Sequence, residues 1–295
     1  MRNLGFVYAI CAYFLWGMAP LYWKALSDVP SMEIVAHRMV WSCVFALMIV
    51  LLSRHWSQLT ALIRQPRVVA RLVLASILVS VNWAIYIWAV NSGNIVQSAM
   101  GYFINPLINV FFGFLFFQER LNRMQMVAIG CAAAGVMWLI ASHGELPWIA
   151  LSLAVTFALY GVVKKTIRVP AVHGMAVETT FVFLPALGYL LYVDSQGSSW
   201  FAESVPITAM LIIGGAFTLA PLLFFAAAAK RISLTALGMT QYLGPSLQLI
   251  IGVWIFNEPF ASDQQITFAL IWLGLLIYTL DQWQSQRRAR VTIPA

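Results

Sequence analysis

Two stripes of side-chain amides inside apolar runs are the residues of this sequence best suited to binding a polar solute. Tyr102, Asn105 and Asn109 recur at i, i+3 and i+7, on one face of a helix, and Pro106 falls in the same turn. Amides are costly in hydrocarbon unless they find partners or face a cavity. They either line a solute pathway or hydrogen-bond neighbouring helices, at about 0.6 kcal/mol per contact. The equivalent stripe, 139 positions later, comprises Gln241, Gly244 and Gln248, with Pro245.

The two prolines, Pro106 and Pro245, would act on the backbone beside these stripes. Proline has no N–H, so each one frees a carbonyl in the preceding turn. We expect both helices to bend there, with the freed carbonyls facing protein or a cavity.

Aromatic residues form a second group of pathway candidates. Asn82, Trp83 and Tyr86 share one helix face, and Trp16 lies in the first apolar run. Aromatic rings bind flat organic molecules and organic cations well. In a chain with 14% aromatic residues, the same stripe is also typical of packing or of an interfacial belt.

Ionisable side chains inside the apolar runs are few, and each costs about 2.5 to 3.5 kcal/mol at a bilayer centre. Glu33, His37 and Arg38 enter the second run together, and Glu33 and His37 form an i, i+4 pair. Because histidine titrates near neutral pH, His37 is a candidate carrier of a coupling proton. The alternative is a paired cluster that snorkels at the helix end.

Glu178 is the remaining coupling candidate, and its predicted partner is Lys164 or Lys165. No carboxylate falls at the predicted midplane, which argues against a metal-ion route. The sequence contains no GxxxxGK[ST], HExxH or GxSxG motif, its four histidines are isolated, and its three cysteines show no CxxC spacing. We therefore predict no enzyme activity, no metal site and no cofactor.

The elements that must position these residues are membrane spans. The 295 residues are 62% hydrophobic and 9% charged, whereas soluble domains are roughly 25% charged. A span needs about 20 apolar residues, and we expect the first one to be retained because no cleavage site follows it. We predict an all-α polytopic membrane protein with ten transmembrane helices, at 4–26, 34–53, 70–90, 99–117, 124–141, 147–163, 175–193, 208–228, 238–256 and 265–283.

The basic residues indicate the orientation of these spans. Fifteen of the 17 Lys and Arg fall at the N-terminus or after spans 2, 4, 6, 8 and 10, and the exceptions are Lys24 and Arg38. Both termini are therefore predicted to be cytoplasmic, in the plasma (inner) membrane. Because the charge is spread over six segments, we expect no nucleic-acid partner. The 54–71 connection is predicted to hold an interfacial helix, and 194–206 an outer loop.

The chain also repeats itself. A shift of 139 positions aligns 100–135 with 239–274, with seven identities in 36 positions that include Glu119 with Glu258. A weaker echo, at 144 positions, pairs Trp16 and Gly17 with Tyr160 and Gly161.

Two domains follow from this repeat. The first five-span repeat is predicted at 1–141, and the second at 142–295 with a short basic cytoplasmic tail. Because five is odd, the copies cross the membrane in opposite senses, as in many secondary transporters. Small residues at 130–135 and 226–229 allow close helix contact, either inside the bundle or at the face of a homodimer.

Four stretches carry a resemblance to a known family: AYFLWGMAPLYWK (12–24), EIVAHRMVWS (33–42), NWAIYIWAVNSGNIVQSAMGYFINPLINV (82–110) and TALGMTQYLGPSLQLIIGVWIFNEPF (235–260). They resemble the RarD branch of the drug/metabolite transporter superfamily, whose repeat unit is the EamA domain. The resemblance implies two inverted repeats around a cavity lined by spans 1–4 and 6–9, with spans 5 and 10 outside. It also implies export of a small organic metabolite or drug, and it assigns no catalytic or coupling residue.

These observations predict a secondary transporter whose halves rock to open a midplane site to each side in turn. Its partners would be the lipid bilayer and a small-molecule substrate. A membrane channel or a non-transporting accessory protein is the alternative. A lipid-modifying enzyme is a third hypothesis, for which the sequence lacks a catalytic set.

Overall fold

Apolar helices joined by short turns make up the computed structural model, which describes residues 2–52, 56–118, 120–144, 146–167, 169–229, 231–232 and 240–291. In chain order they are α1 (Arg2–Lys24), α2 (Ser31–Leu52), α3 (Trp56–Ile63), α4 (Pro66–Asn91), α5 (Ile95–Phe117), α6 (Arg123–His143), α7 (Trp148–Lys165), α8 (Ala171–Ser195), α9 (Val205–Ala229), α10 (Leu243–Ile250), a π-helical turn (Ile251–Ile255) and α11 (Ser262–Val291).

Local sequence explains where several helices begin and end. Asn122 opens α6 with a capping box, in which its side chain accepts from the Gln125 N–H while the Gln125 side chain accepts from the Asn122 N–H. Gly144 closes the same helix at φ +73°, a left-handed conformation that favours glycine. Pro66 begins α4, where its missing N–H costs no intrahelical bond.

Within the described residues, nine helices are long and apolar enough to cross a membrane: α1, α2, α4 to α9, and α11. They coincide with predicted spans 1 to 8 and 10, so a multi-pass, helical membrane protein is confirmed. The ninth predicted span is covered by α10 and its π-turn, a shorter apolar helix of 243–255, and residues 238–239 lie outside the described residues. Helix α3 confirms the helix predicted within 54–71.

The two prolines have different local settings. Helix α5 continues through Pro106. Pro245 is the third residue of α10, and a turn at 241–242 directly precedes that helix. The ninth predicted span is therefore interrupted one turn before Pro245, and Pro245 itself lies in the first turn of α10, where proline is tolerated.

The most extensive helix contacts each join one helix that ends before residue 144 to one that begins after residue 147. Buried apolar side chains fill these interfaces, with Trp23, Leu26 and Ile34 among the largest. The pairs are α1 with α9 and α10, α2 with α8 and α9, α4 with α7 and α8, α5 with α7 and α10, and α6 with α11.

Candidate functional site

Arg38 lies at the centre of a polar and aromatic cluster that joins the two parts of the chain. It is the eighth residue of α2, about 10 Å along the axis from the helix start, and its surface is 6% exposed. Its Nε donates to Thr218 Oγ1 of α9 over 2.7 Å. Its guanidinium carbon lies 4.0 Å from the ring centroid of Trp83 on α4 and 5.1 Å from that of Trp23 on α1. One side chain therefore contacts three other helices.

Part of this cluster has unused hydrogen-bonding capacity. Among the described residues, Arg38 Nη1 and the Tyr86 hydroxyl are buried without a hydrogen-bond partner. The rings of Tyr86 and Tyr102 pack edge to face, with 5.8 Å between their centroids. A buried donor without a partner is costly, so Arg38 Nη1 and the Tyr86 hydroxyl are candidates for hydrogen bonds to a bound solute.

Asn82 connects the cluster to α7. Its Nδ2 donates to Leu153 O and to Thr156 Oγ1, both over 2.9 Å, and its Oδ1 accepts from the Tyr102 hydroxyl over 3.4 Å. The structure thus brings together the pathway candidates Asn82, Trp83, Tyr86 and Tyr102, which the sequence placed on two separate spans.

The rest of the first amide stripe continues along the same interface. Asn105 is buried, and its Nδ2 donates to Ala154 O of α7 over 3.0 Å. Asn109 is exposed, and its Nδ2 donates to Asn105 Oδ1 over 2.9 Å. A Cβ placed on Gly161 of α7 would lie 3.6 Å from Asn109 Oδ1. The stripe therefore faces the second part of the chain and bonds its backbone in this conformation.

The second stripe faces the first part of the chain. Gln248 is 4% exposed, its Nε2 donates to Trp16 O of α1 over 3.2 Å, and its Oε1 is buried without a partner among the described residues. Trp16 is half-buried and packs against Tyr13 and Phe225. Gln241 is partly exposed in the turn before α10, so Gln248 alone of this stripe combines a buried amide with an interhelical bond.

Glu33 and His37 are held by the loop between α8 and α9. Glu33 is fully buried, and its Oε1 accepts from the Trp200 N–H over 2.8 Å. His37 Nε2 lies 3.9 Å from Glu33 Oε1, and the imidazole stacks on Phe201 with 4.9 Å between centroids. The predicted pairing of Glu33 with His37 is confirmed. The predicted snorkelling is wrong, because Glu33, His37 and Arg38 are all buried. Packing against the 194–206 loop and α9 explains the difference.

Glu178 forms a separate polar group between α7 and α8. Its Oε1 accepts from Lys164 Nζ, which confirms one of the two predicted partners, and its Oε2 accepts from the Tyr160 hydroxyl. Ser76 of α4 donates to the Glu178 carbonyl over 2.6 Å. Glu178 and Trp83, which contacts Arg38, both line a small crevice between α4 and α8.

Two residues of these networks were not predicted from the sequence to be site residues. Thr218 lies in the middle of an apolar run and shows no periodic pattern. Glu258 follows the ninth span, and its two carboxylate oxygens accept from the N–H groups of Ile95 and Val96, each over 2.8 Å. Its identity with Glu119 in the repeat alignment was the one sequence feature that singled out Glu258.

A bundle of apolar helices whose polar side chains meet between helices defines the class of multi-pass membrane proteins. Residues 3–141 match the EamA-like transporter family. The chain is 41% identical to the uncharacterized transporter YojE of Bacillus subtilis over 97% of both chains. It is also 41% identical to protein RarD of Escherichia coli over 96% of both chains.

A more distant relative is the chloramphenicol-sensitive protein RarD of Pseudomonas aeruginosa, which is 29% identical over 97% of this chain and 96% of that one. A crystal structure that shares 20% identity superposes with a TM-score of 0.59 over 95% of this chain and 98% of the other, which shows a common fold. The chain belongs to the RarD branch of the drug/metabolite transporter superfamily. This is a family of membrane transporters and not of enzymes.

Proposed function

We propose that this protein is a secondary transporter that exports small organic metabolites or drugs by alternating access. In this proposal its ten spans form two inverted five-span repeats, 1–141 and 142–295, in the plasma (inner) membrane with both termini in the cytoplasm. The two repeats rock against each other around the polar clusters described above, and expose them to one side of the membrane at a time.

The pairing of helices is the observation that carries this proposal. If the second repeat mirrors the first, spans 1 to 5 exchange with spans 6 to 10, and each interhelical contact must have a counterpart after the exchange. The extensive contacts obey this rule: α1 with α9 corresponds to α7 with α4, α1 with α10 to α7 with α5, and α2 with α9 to α8 with α4. The pairs α2 with α8, α5 with α10 and α6 with α11 correspond to themselves.

Individual residues support the same symmetry. Asn109 and Gln248 are equivalent under the shift of 139 positions, and Gly161 and Gly17 under the shift of 144. Asn109 lies beside Gly161, and Gln248 donates to the carbonyl of Trp16, the residue before Gly17. Each amide thus contacts the first span of the opposite repeat at the corresponding place.

The amide bonds are suited to exchange during transport. Asn82, Asn105 and Gln248 each donate to a carbonyl of a helix from the opposite repeat. Such bonds contribute on average about 0.6 kcal/mol in membrane proteins, so a solute that offers its own acceptors can replace them at small cost. Because these hydrogen bonds are weak, the same amides can hold helices together in one conformation and line a solute pathway in another.

Coupling to protons would use His37. The imidazole faces Glu33 from its own helix and Phe201 from the α8–α9 loop, and Arg38 is its neighbour in the sequence. Protonation would add a positive charge 3.9 Å from the Glu33 carboxylate on the same helix. Both side chains also contact the α8–α9 loop of the second repeat, so in this proposal the charge of His37 changes how firmly the two repeats are held together at this end of the bundle.

Counterflow in proteoliposomes tests the transport function. The probes are radiolabelled chloramphenicol, phenylalanine and benzoate, and we expect saturable uptake of at least one that rises when the vesicles are preloaded with the same unlabelled solute. Asn105→Leu and Gln248→Leu should reduce this flux at equal protein abundance, whereas Gln65→Leu, at an exposed glutamine, should not. Uptake that does not saturate and ignores preloading would indicate a channel, and no uptake of any probe would contradict transport.

A further inference from the structure

The guanidinium of Arg38 is a buried positive charge that is not paired with any carboxylate of the described residues. Among the described residues no carboxylate lies within 4 Å of it. Glu33, one turn away on α2, accepts from the Trp200 N–H, and Glu178 is paired with Lys164. A buried cation without a counter-ion is strongly disfavoured, and ionisable groups inside spans typically mark substrate pathways. The electrostatic character of this cluster is therefore complementary to an anion.

The side chain is also held in one orientation with a donor left free. Thr218 fixes Nε, and the rings of Trp83 and Trp23 lie over the guanidinium. Nη1 and the Tyr86 hydroxyl remain without partners in the described part of the chain. A carboxylate has two oxygens and accepts several hydrogen bonds, and its bonds to guanidinium groups are among the strongest in proteins.

On the basis of the transport function proposed above, we propose that Arg38 binds the carboxylate of the transported solute, and that these solutes are organic monocarboxylates with a flat, apolar body. The carboxylate contacts Nη1 and the Tyr86 hydroxyl. The apolar body packs against Trp83, which already forms one wall of the cluster.

The surroundings of Arg38 favour this class over other solutes. One guanidinium among aromatic rings matches one negative charge, whereas a phosphate dianion would require a second cation. Lys24, the last residue of α1, donates to the carbonyls of Val90 and Asn91. An organic cation would be repelled by the guanidinium. An α-amino acid is disfavoured for the same reason, because only one carbon separates its ammonium group from its carboxylate and the ammonium would lie next to the same positive charge.

Ligand-induced thermal stabilisation of the full chain in lipid nanodiscs tests this inference without any need for flux. The probes are benzoate, 3-phenylpropanoate and indole-3-acetate, each compared with its own primary amide, which has the same shape and no charge. Sodium phosphate and phenylalanine complete the set. A ligand that binds the folded protein raises its apparent unfolding temperature by mass action, so we would titrate each probe to about 10 mM.

We expect at least one acid to stabilise the protein saturably, and its amide, phosphate and phenylalanine to bind at least about tenfold more weakly, since hydrogen bonds to charged groups are worth about that factor or more. Arg38→Gln should lower the affinity for that acid at least about tenfold. Arg231→Gln is the matched control, because Arg231 also lies over an aromatic ring, that of Tyr8, but is exposed. It should leave the affinity unchanged.

Three results would overturn the inference: no acid binds, the amides or phosphate bind as tightly as the acids, or Arg38→Gln binds the acid as tightly as the unaltered protein. If Arg38→Gln does not fold, the comparison of acids with amides on the unaltered protein decides. Acid binding without counterflow would contradict the transport function alone. Counterflow of a neutral solute with no acid binding would contradict only the assignment of Arg38.

Discussion

The contact between Glu258 and the start of α5 allows a quantitative prediction. Both carboxylate oxygens of Glu258 accept from the first two N–H groups of the helix, at Ile95 and Val96, over 2.8 Å. The side chain is 8% exposed, so water replaces little of this interaction. Glu258→Gln keeps the shape, removes the charge and leaves one acceptor oxygen instead of two.

The expected loss follows from these contacts. A hydrogen bond to a charged group contributes about 1.5 to 3 kcal/mol, and neutralising its acceptor roughly halves the strength of the bond that remains. The favourable interaction of a negative charge with a helix N-terminus, up to about 2 kcal/mol when partly buried, overlaps with these bonds. We therefore expect Glu258→Gln to lower the free energy of unfolding by about 2 to 4 kcal/mol.

Reversible unfolding in mixed detergent micelles measures the total effect, and hydrogen exchange at Ile95 and Val96 measures the local one. Glu203→Gln is the control, since Glu203 is exposed in the α8–α9 loop, and it should change stability by less than about 0.5 kcal/mol. Equal stabilities for the two variants, with unchanged exchange at Ile95 and Val96, would refute the capping argument.

Two further predictions concern helix packing and coupling. A Cβ on Gly215 of α9 would lie 2.5 Å from backbone and side-chain atoms of Trp41, so Gly215→Ala should lower the free energy of unfolding by about 1 to 3 kcal/mol. Gly188→Ala is the control: nothing lies within 4 Å of its new Cβ, so it should be neutral or stabilise the protein by up to about 1 kcal/mol. Equal effects of the two variants would contradict the close approach of α2 and α9. If His37 carries the coupling proton, His37→Gln should abolish the pH dependence of counterflow, and a variant that retains this dependence would exclude the role.

Hydropathy and charge patterning predicted the membrane-spanning helices, because a span is determined by the local composition of about 20 residues. Nine of the ten predicted spans coincide with long apolar helices, and the pairing of Glu178 with one of two neighbouring lysines followed from their positions at facing span ends. The sequence also predicted which face of the fourth span is turned toward the protein, because Asn105 and Asn109 lie on one helix face and amides are costly in lipid.

Arg38 shows what sequence alone could not provide. A cation near a helix end snorkels outward or turns inward according to what surrounds it, and its partners Thr218 and Trp83 come from α9 and α4. Glu258 shows the same limit, because its role depends on contact with the start of α5, and Val96, one of its partners there, is 162 residues away in the sequence. Neither contact leaves a trace in hydropathy or in helical periodicity.

The carboxylate of Glu258 fixes only one extremity of α5, and this has a mechanical consequence. A rod pinned at one end moves as a lever, with displacements that grow along its length. Helix α5 has 23 residues, so a tilt of about 10° about the pinned end would carry its far end by roughly 6 Å. A modest rotation there is enough to part Asn109 from Gly161 while the anchored turn barely shifts.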